Sequence, residues 1–226
     1  YTPILKAPND VEVTEQTLDD GVHYYATFTT TRFAEYYKVE IRKTHELQTV
    51  DGTKQVVELA NASFEVLSTK FSKGTVKTNC DITEYLESKG FGKYEVRVRA
   101  VLEQPEVTET PIIYSSYSNV AEYAYFDKQP TPTNLAFNNE TKVLTFTGAE
   151  TALNGYTIRV SIEQNDGSFV SNDIIVNEER ADLSTTIASL GGVGKFTISA
   201  MTRKVEELFL GNSAWSTPVT AEIRIK

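Results

Sequence analysis

Twice in this chain an Asp opens a short helix-like stretch, a Gly-Lys-aromatic step follows, and an alternating strand closes the unit. The two copies are "DITEYLESKGFGKYEVRVRA" from Asp81 and "DLSTTIASLGGVGKFTISAM" from Asp182. Three further landmarks recur in the same order. "PNDVEV" from Pro8 matches "PTNLAF" from Pro132, "YYATFTT" around Phe28 matches "VLTFTG" around Phe146, and "YYKVEIRK" around Tyr37 matches "YTIRVSIE" from Tyr156. At 226 residues there is room for two domains of ordinary size, each with its own core. The repeat therefore predicts two related units in series.

The copies are not identical in length. The first three landmarks are separated by 124, 118 and 119 residues, but Asp81 and Asp182 by only 101. Between them lie the pairs Asp51-Gly52 and Asp166-Gly167, which read as hairpin turns because Asp-Gly tolerates the positive φ of a tight turn. Those pairs are 115 residues apart, so copy one carries 14 extra residues after its turn, within "VVELANASFEVLSTKFSKG". An additional strand or a long connection is expected there.

Period-2 alternation predicts strands throughout. Tyr94, Val96, Val98 and Ala100 should point inward while Glu95, Arg97 and Arg99 point out. In copy two the inward places fall to Phe196, Ile198, Ala200 and Thr202. Short strands separated by turns, without long helices, indicate antiparallel β-sandwiches. The stretches from Asp81 and Asp182 break the alternation. Each has an Asp suited to an N-cap, a small apolar helical face (Ile82, Tyr85, Leu86; Leu183, Ile187) and a Gly to stop it. Each is expected as one or two helical turns crossing between sheets.

Composition narrows the functional classes. Apolar residues at 40% and charged residues at 23% describe a globular chain. A net charge of −9 opposes nucleic acid or an anionic membrane as a partner through long-range attraction. No apolar run reaches the roughly 20 residues of a membrane-spanning helix. The opening "YTPILKAPND" has no initiator Met and no basic or apolar leader, which fits a removed signal peptide or a piece of a longer protein. The single cysteine, Cys80, excludes an intrachain disulfide.

Taken in order, these motifs resemble tandem fibronectin type III domains over essentially the whole chain. The resemblance rests on the Pro-led first strand, the aromatic-ended second, the Tyr-led third, "GKYEVRVRA" and "GKFTISAM" as sixth strands, and the Ser-rich entries "YSSYSNVAEY" and "NSAWSTPVTAEI" to the last. The helical turn before the sixth strand resembles variants in bacterial secreted and surface proteins. Departures are the insertion and the use of Phe rather than Trp at Phe28 and Phe146. The resemblance implies an all-β fold of two consecutive immunoglobulin-like sandwiches, residues 1–126 and 127–226. Their boundary falls in "FDKQPTPTN", whose prolines stiffen a short linker. It also implies that the loop "KVEELFLGN" of copy two faces the end of copy one that carries "DITEYLESKG", so that Leu208, Phe209 and Leu210 cover the domain junction.

Sites for chemistry are sparse. His23 and His45 are the only histidines, both in β-patterned segments, and nothing pairs either with a nucleophile. No catalytic residue, metal ligand or cofactor is expected; the spacing for either metal class is lacking. Asp19-Asp20 and Glu206-Glu207 read as solvated turns. Cys80 aligns with Ala181 and reads as a small packing position. Asn61-Ala62-Ser63 and Asn139-Glu140-Thr141 fit the glycosylation triplet, which matters only in a eukaryotic secretory setting.

"YSSYS", Tyr114 to Ser118, resembles the aromatic-Ser-x-aromatic-Ser motif of cytokine-receptor modules, in which rings stack with arginines of a neighbouring strand. Arg97 and Arg99 are the arginines expected on Tyr114 and Tyr117. Copy two keeps Trp215 and Ser216 but has Ser199 and Met201 at the arginines' places. A ligand site, if the segment has one, belongs at the free pole of copy one, built by "TTTRFAE", "LEQPEVTETPII" and part of the insertion. Arg32, Phe33, Pro105, Glu106 and Ile112 are its candidate residues.

These features imply a non-catalytic, monomeric, extracellular or cell-surface segment of bacterial origin, serving as a spacer or an adhesion module toward a protein or glycan partner. An accessory segment of a large secreted enzyme is the alternative from a different class. A specific host-protein or glycan receptor acting through the first unit's outer loops is another.

Overall fold

Side chains of the sixth strand lie where alternation puts them. In the computed structural model Tyr94, Val96, Val98 and Ala100 are buried, as are Phe196, Ile198, Ala200 and Thr202. The structure describes residues 4–70, 77–103 and 112–224, without the side chains of 68–70. Two units separate between Tyr125 and Phe126.

The first unit contains β1 (Asn9–Leu18), β2 (Gly21–Thr29), β3 (Tyr36–Val50), β4 (Thr53–Glu58), β5 (Glu65–Lys70) and β6 (Lys77–Asp81). Then come α1 (Thr83–Lys89), β7 (Gly92–Glu103), β8 (Ile112–Tyr114) and β9 (Ala121–Tyr125). One sheet has the order β1-β2-β6; the other runs from β4 and β5 through β3 and β7 to β8 and β9. Every one of these pairings is antiparallel.

The second unit contains β10 (Asp127–Lys128), β11 (Thr133–Asn138), β12 (Val143–Thr147), β13 (Tyr156–Glu163), β14 (Phe169–Val176) and β15 (Arg180–Asp182). They are followed by α2 (Ser184–Ser189), β16 (Gly194–Thr202), β17 (Leu210–Gly211) and β18 (Val219–Ile223). Its two main sheets are β11-β12-β15 and β14-β13-β16-β18, and β10 and β17 form a separate two-stranded one. Each unit thus packs a three-stranded sheet against a larger one, and the helix-preceding strand belongs to the smaller sheet. This is the immunoglobulin-like sandwich of the fibronectin type III kind.

Equivalent residues fill the two cores. Phe28 meets the Tyr37 ring edge-on at 4.9 Å, and Phe146 meets Tyr156 at 4.8 Å. Each of these tyrosines also makes a polar contact. Its hydroxyl accepts the backbone N–H of Thr31 or Ala149, closing the loop before its own strand. Ile82 and Leu86, and Leu183 and Ile187, plug the end of each sandwich. Burial of one such large side chain is worth roughly 1.5–3 kcal/mol. Cys80 and Ala181 are both buried in these cores.

The Asp residues do not occupy the N-caps, which fall to Ile82 and Leu183; each lies one position further out and still accepts the first helical N–H. Helix α1 begins at Thr83, and Asp81 Oδ1 accepts the Thr83 N–H at 2.9 Å; Asp182 does the same for Ser184. Gly90 ends α1 at φ 73°, whereas α2 ends at Leu190 and is followed by the left-handed pair Gly191-Gly192. Both helices join the smaller sheet to the larger one.

The insertion in copy one splits one strand into two. Strand β4 pairs with the far half of β3, His45 to Val50, and β5 with the near half, Tyr36 to Ile41. Residues 59–64 arch away from the sheet opposite Arg42, Lys43 and Thr44. The arch is pinned where Leu59 N donates to Thr44 O and where Asn61 adopts φ 63°.

Candidate functional site

Alternation and register set a polar row on the outer face of the first unit's larger sheet. Lys38 sits opposite Arg99, Glu40 opposite Arg97, and Arg42 opposite Glu95. Cation and ring alternate along this row. Arg42 lies over Phe64 at 4.5 Å, Arg97 is held between Phe64 at 3.8 Å and Tyr117 at 3.7 Å, and Arg99 lies over Tyr114 at 4.2 Å. Lys38 completes it over Tyr114 at 5.1 Å. The "YSSYS" tyrosines therefore receive the two arginines expected of them. The lower rung, Phe64, comes from the insertion, where the motif gives no sign of it.

Glu40 anchors the row from beneath. It is only 3% exposed, so its charge requires partners on every side. Oε2 accepts from Arg97 Nε at 2.9 Å and Nη2 at 2.7 Å, Oε1 accepts the Tyr117 hydroxyl at 2.9 Å, and Arg99 Nη2 lies 3.5 Å away. Burial, and then donation to Glu40, push the Tyr117 phenol above its ordinary range.

The serines of the motif repair the sheet edge. Between β8 and β9 the edge strand leaves β7, which would orphan backbone donors of β7 in a buried place. Ser115 Oγ accepts Ala100 N and Ser118 Oγ accepts Val98 N, both at 2.9 Å. In the second unit Ser213 and Ser216 do this for Thr202 and Ala200. The ring–cation contact also recurs, with its cation moved. Trp215 lies 4.4 Å from Arg159, on β13 opposite Ser199, and Arg159 binds Asp173 through two N–H···O contacts of 2.8 Å. Asp173 is held below the ordinary carboxylate range by those bonds.

The free-pole candidates are described in part. Phe33 stands at the tip between β2 and β3, 53% exposed, at φ 71°. Arg32 covers its ring at 4.7 Å. The base of this tip is fixed: Glu35 N donates to Val101 O, and Glu35 Oε2 accepts Glu103 N. Ile112, 42% exposed, pairs with the same Glu103. Pro105 and Glu106 lie outside the described residues.

Leu208, Phe209 and Leu210 close on a segment of their own unit. A 3-10 turn, Glu206–Leu208, brings Phe209 into a left-handed conformation (φ 50°), buried, with its ring 6.2 Å from Phe126. Strand β17, which begins at Leu210, pairs in parallel with β10, and Asp127 N donates to Phe209 O. The stretch expected as a short linker is thus joined to the second unit by backbone bonds. Gln129 Nε2 donates to Arg203 O, and Thr202 Oγ1 donates to Pro130 O.

Among the described residues neither histidine hydrogen-bonds a Ser, Cys or Lys side chain, although Lys93 stands opposite His45 on β7. His45 Nδ1 contacts Thr44 Oγ1. His23 sits between two carboxylates, with Nε2 3.0 Å from Asp20 and Nδ1 3.5 Å from Asp81. The hydrogen bond with Asp20, followed by the influence of Asp81, raises its pKa against the opposing effect of burial. Among the described residues no three His, Cys, Asp or Glu side chains are placed to hold a metal ion. No described helix is long and apolar enough to cross a membrane.

No protein-family model matches the chain, and neither does any curated protein sequence. Among solved structures the chain is similar to the chicken interferon gamma receptor alpha chain, at 13% identity and a TM-score of 0.37, covering 97% of this chain and 98% of that one. It is also similar to the FN1–FN3 domains of chicken CNTN1, at 11% identity and a TM-score of 0.42, covering 98% of this chain and 67% of that one. Likenesses this distant carry no function across; the sheet order is what defines the fold.

Proposed function

We propose that this chain is a non-catalytic adhesion or protein-interaction segment of a larger surface or secreted protein, with the Phe33 tip of its first unit as the point of contact. One observation carries the reading. A large aromatic residue is held out of the core, more than half exposed, in a backbone region that disfavours bulky L-residues. Left-handed geometry at a non-Gly residue costs on the order of 1–2 kcal/mol, and such strain concentrates where a side chain is presented to something else.

Arg32 over the ring and Ile112 beside Glu103 add the Arg and apolar groups that anchor interfaces. The tip rests on the far end of the interior strand β7 through Glu35. The surface or secreted setting rests on fold analogy, since sandwiches of this kind recur in cell-surface proteins. Arrays of extracellular proteins and of glycans, probed with the wild-type chain and with Phe33→Ala, test the assignment. Any ligand found with the wild type should lose about tenfold or more in affinity for the variant, the loss usual at an aromatic hot spot. Equal affinity for the two chains would remove the tip from the interface.

A further inference from the structure

Strand β14 is an open edge of the second unit. In the order β14-β13-β16-β18 no described strand pairs with its far side, so half of its backbone donors and acceptors face away from the sheet. Two bonds just outside the strands identify that half. Gln164 N donates to Ser168 O at 2.7 Å, and Arg203 N donates to Gly155 O at 3.0 Å. Carried along the registers of β13 with β14 and β16, both set the even-numbered residues of β14 against β13. Phe169, Ser171, Asp173 and Ile175 therefore turn their N–H and C=O groups outward, where no described group bonds to them.

Edges are usually defended against further pairing by bulges, charges, Pro or interruption. Strand β1 shifts register between Asn9 and Glu12, where Asp10 adopts φ 52°. Strand β11 shifts between Thr133 and Ala136, where Asn134 adopts φ 54°. The counterpart of β14 in the first unit is broken into β4 and β5 by the arch. Strand β14 has none of these devices. Its eight residues pair with β13 without a shift, and they include no Pro, Gly, Lys or Arg. Its single charge, Asp173, is already bound by Arg159.

The same four residues point their side chains to the outer face, since Ile174 and Val176 pack on the core. Phe169 and Ile175 are each 60% exposed. The order Phe, Ser, Asp, Ile at alternate positions complements itself when reversed. An antiparallel second copy, with Asn172 on the two-fold axis, sets Phe169 opposite Ile175 of the other copy and Ser171 opposite its Asp173. Sliding by two residues one way opposes Asp173 to itself, and sliding the other way opposes Phe169 to Asp173. The centred register avoids both.

We propose that two copies of this chain pair through β14, antiparallel about Asn172, joining two four-stranded sheets into one. The contact is isologous, so it closes at a dimer. A single strand edge is small beside the roughly 1,200–2,000 Å² of a stable interface, and the expected Kd is about 100 µM. The Phe33 tip lies in the other unit, so either proposal can fail alone.

The experiment follows the full 226-residue chain by sedimentation equilibrium from about 10 µM to about 1 mM, with amide hydrogen exchange measured by NMR at both ends of that range. A monomer–dimer equilibrium is expected, with protection that grows with concentration at Phe169, Ser171, Asp173 and Ile175. The intervening amides, already bonded to β13, should not change. Phe169→Lys/Ile175→Lys opposes lysines across the axis and should weaken the dimer by about tenfold or more. Phe169→Lys/Ile175→Glu opposes unlike charges in this register and should associate more tightly than the double-lysine variant. Trp215 fluorescence in urea checks that each variant folds. A monomer at about 1 mM, protection on other strands, a dimer untouched by the lysines, or no recovery in the Lys/Glu variant would overturn the proposal. So would a monomeric chain whose same four amides are protected by an unrelated extended peptide, which would give the edge a different occupant.

Discussion

Arg97→Ala should damage the first unit far more than Arg159→Ala, which removes the arginine beside Trp215, damages the second. Arg97 supplies two hydrogen bonds to a carboxylate that is almost fully buried, and its guanidinium is sandwiched between Phe64 and Tyr117. Removing one member of a fully buried pair costs about 3–5 kcal/mol. Here the cost is reduced because Arg97 keeps 26% of its side chain exposed and Arg99 remains 3.5 Å from Glu40. The two ring contacts add about 0.5–1 kcal/mol each. The total is about 2–4 kcal/mol. Arg159 and Asp173 are each more than 40% exposed, where such a pair is worth about 0–1 kcal/mol; with the Trp215 contact the total is about 1 kcal/mol.

The chain provides its own reporters for the two units. Its only tryptophan is in the second, and every tyrosine except Tyr156 is in the first. Urea unfolding followed by Trp fluorescence and, separately, by near-ultraviolet Tyr dichroism therefore resolves them. With a slope of about 1–3 kcal/mol per molar urea, Arg97→Ala should lower the tyrosine midpoint by about 1–2 M and leave the tryptophan midpoint in place. Arg159→Ala should move only the tryptophan midpoint, by about 0.5 M. Equal shifts for the two variants, or no change in the tyrosine midpoint with Arg97→Ala, would show that Glu40 does not depend on Arg97.

Ser115→Ala strands the buried Ala100 N–H and should cost about 1–3 kcal/mol, read as the tyrosine midpoint; Ser116→Ala, an exposed neighbour, should cost nothing measurable. His23 binds its proton more tightly when folded, so it adds stability that is complete below about pH 6.5 and is lost as pH rises through its raised folded value. Asp81 acts in the opposite direction: burial opposes its charge, but bonds from Thr83 and His23 outweigh that, so its contribution is lost as pH falls through its depressed value. Denaturation midpoints from about pH 4 to 9 should then fall on the alkaline side in the wild type and not in His23→Asn. Phe33→Gly should leave the first unit as stable or up to about 1 kcal/mol more stable, because glycine accepts φ 71° without strain; a loss of stability by the same unfolding assay would show that the ring packs structurally.

Features that repeat or alternate were legible in the sequence. Tyr94 to Ala100 and Phe196 to Thr202 sit inward because a pleated strand leaves period-2 side chains no other arrangement. The Asp residues before each helix were legible because their chemistry is local. Contacts that depend on three strands lying side by side were not. The motif sets Trp215 against Ser199 and Met201 on the adjoining strand, whereas its cation, Arg159, comes from the strand beyond, opposite Ser199. Phe64 reaches Arg97 only because the arch folds back over β3, a result of register that alternation cannot show. Similarly, "FDKQP" reads as linker from its composition, yet its backbone is paired with Leu210 and Gly211. The row of Arg42, Glu95 and Glu122 was invisible for the same reason, since its members are far apart in sequence and are aligned only by strand register.

Neighbouring modules of similar sequence risk exchanging strands while they fold. Glu40 and Arg159 occupy equivalent places, since each lies three residues beyond the matched tyrosine that leads its strand, Tyr37 or Tyr156. They carry opposite charge. If β13 took the place of β3 beside β7, Arg159 would arrive where Glu40 belongs, next to Arg97 and Arg99, and three guanidiniums would crowd together without a carboxylate. If β3 replaced β13, Glu40 would be set against Asp173 beneath Trp215. Each wrong pairing places like charges in contact, so inverting one charge between the copies lets each nascent unit reject the other's strand.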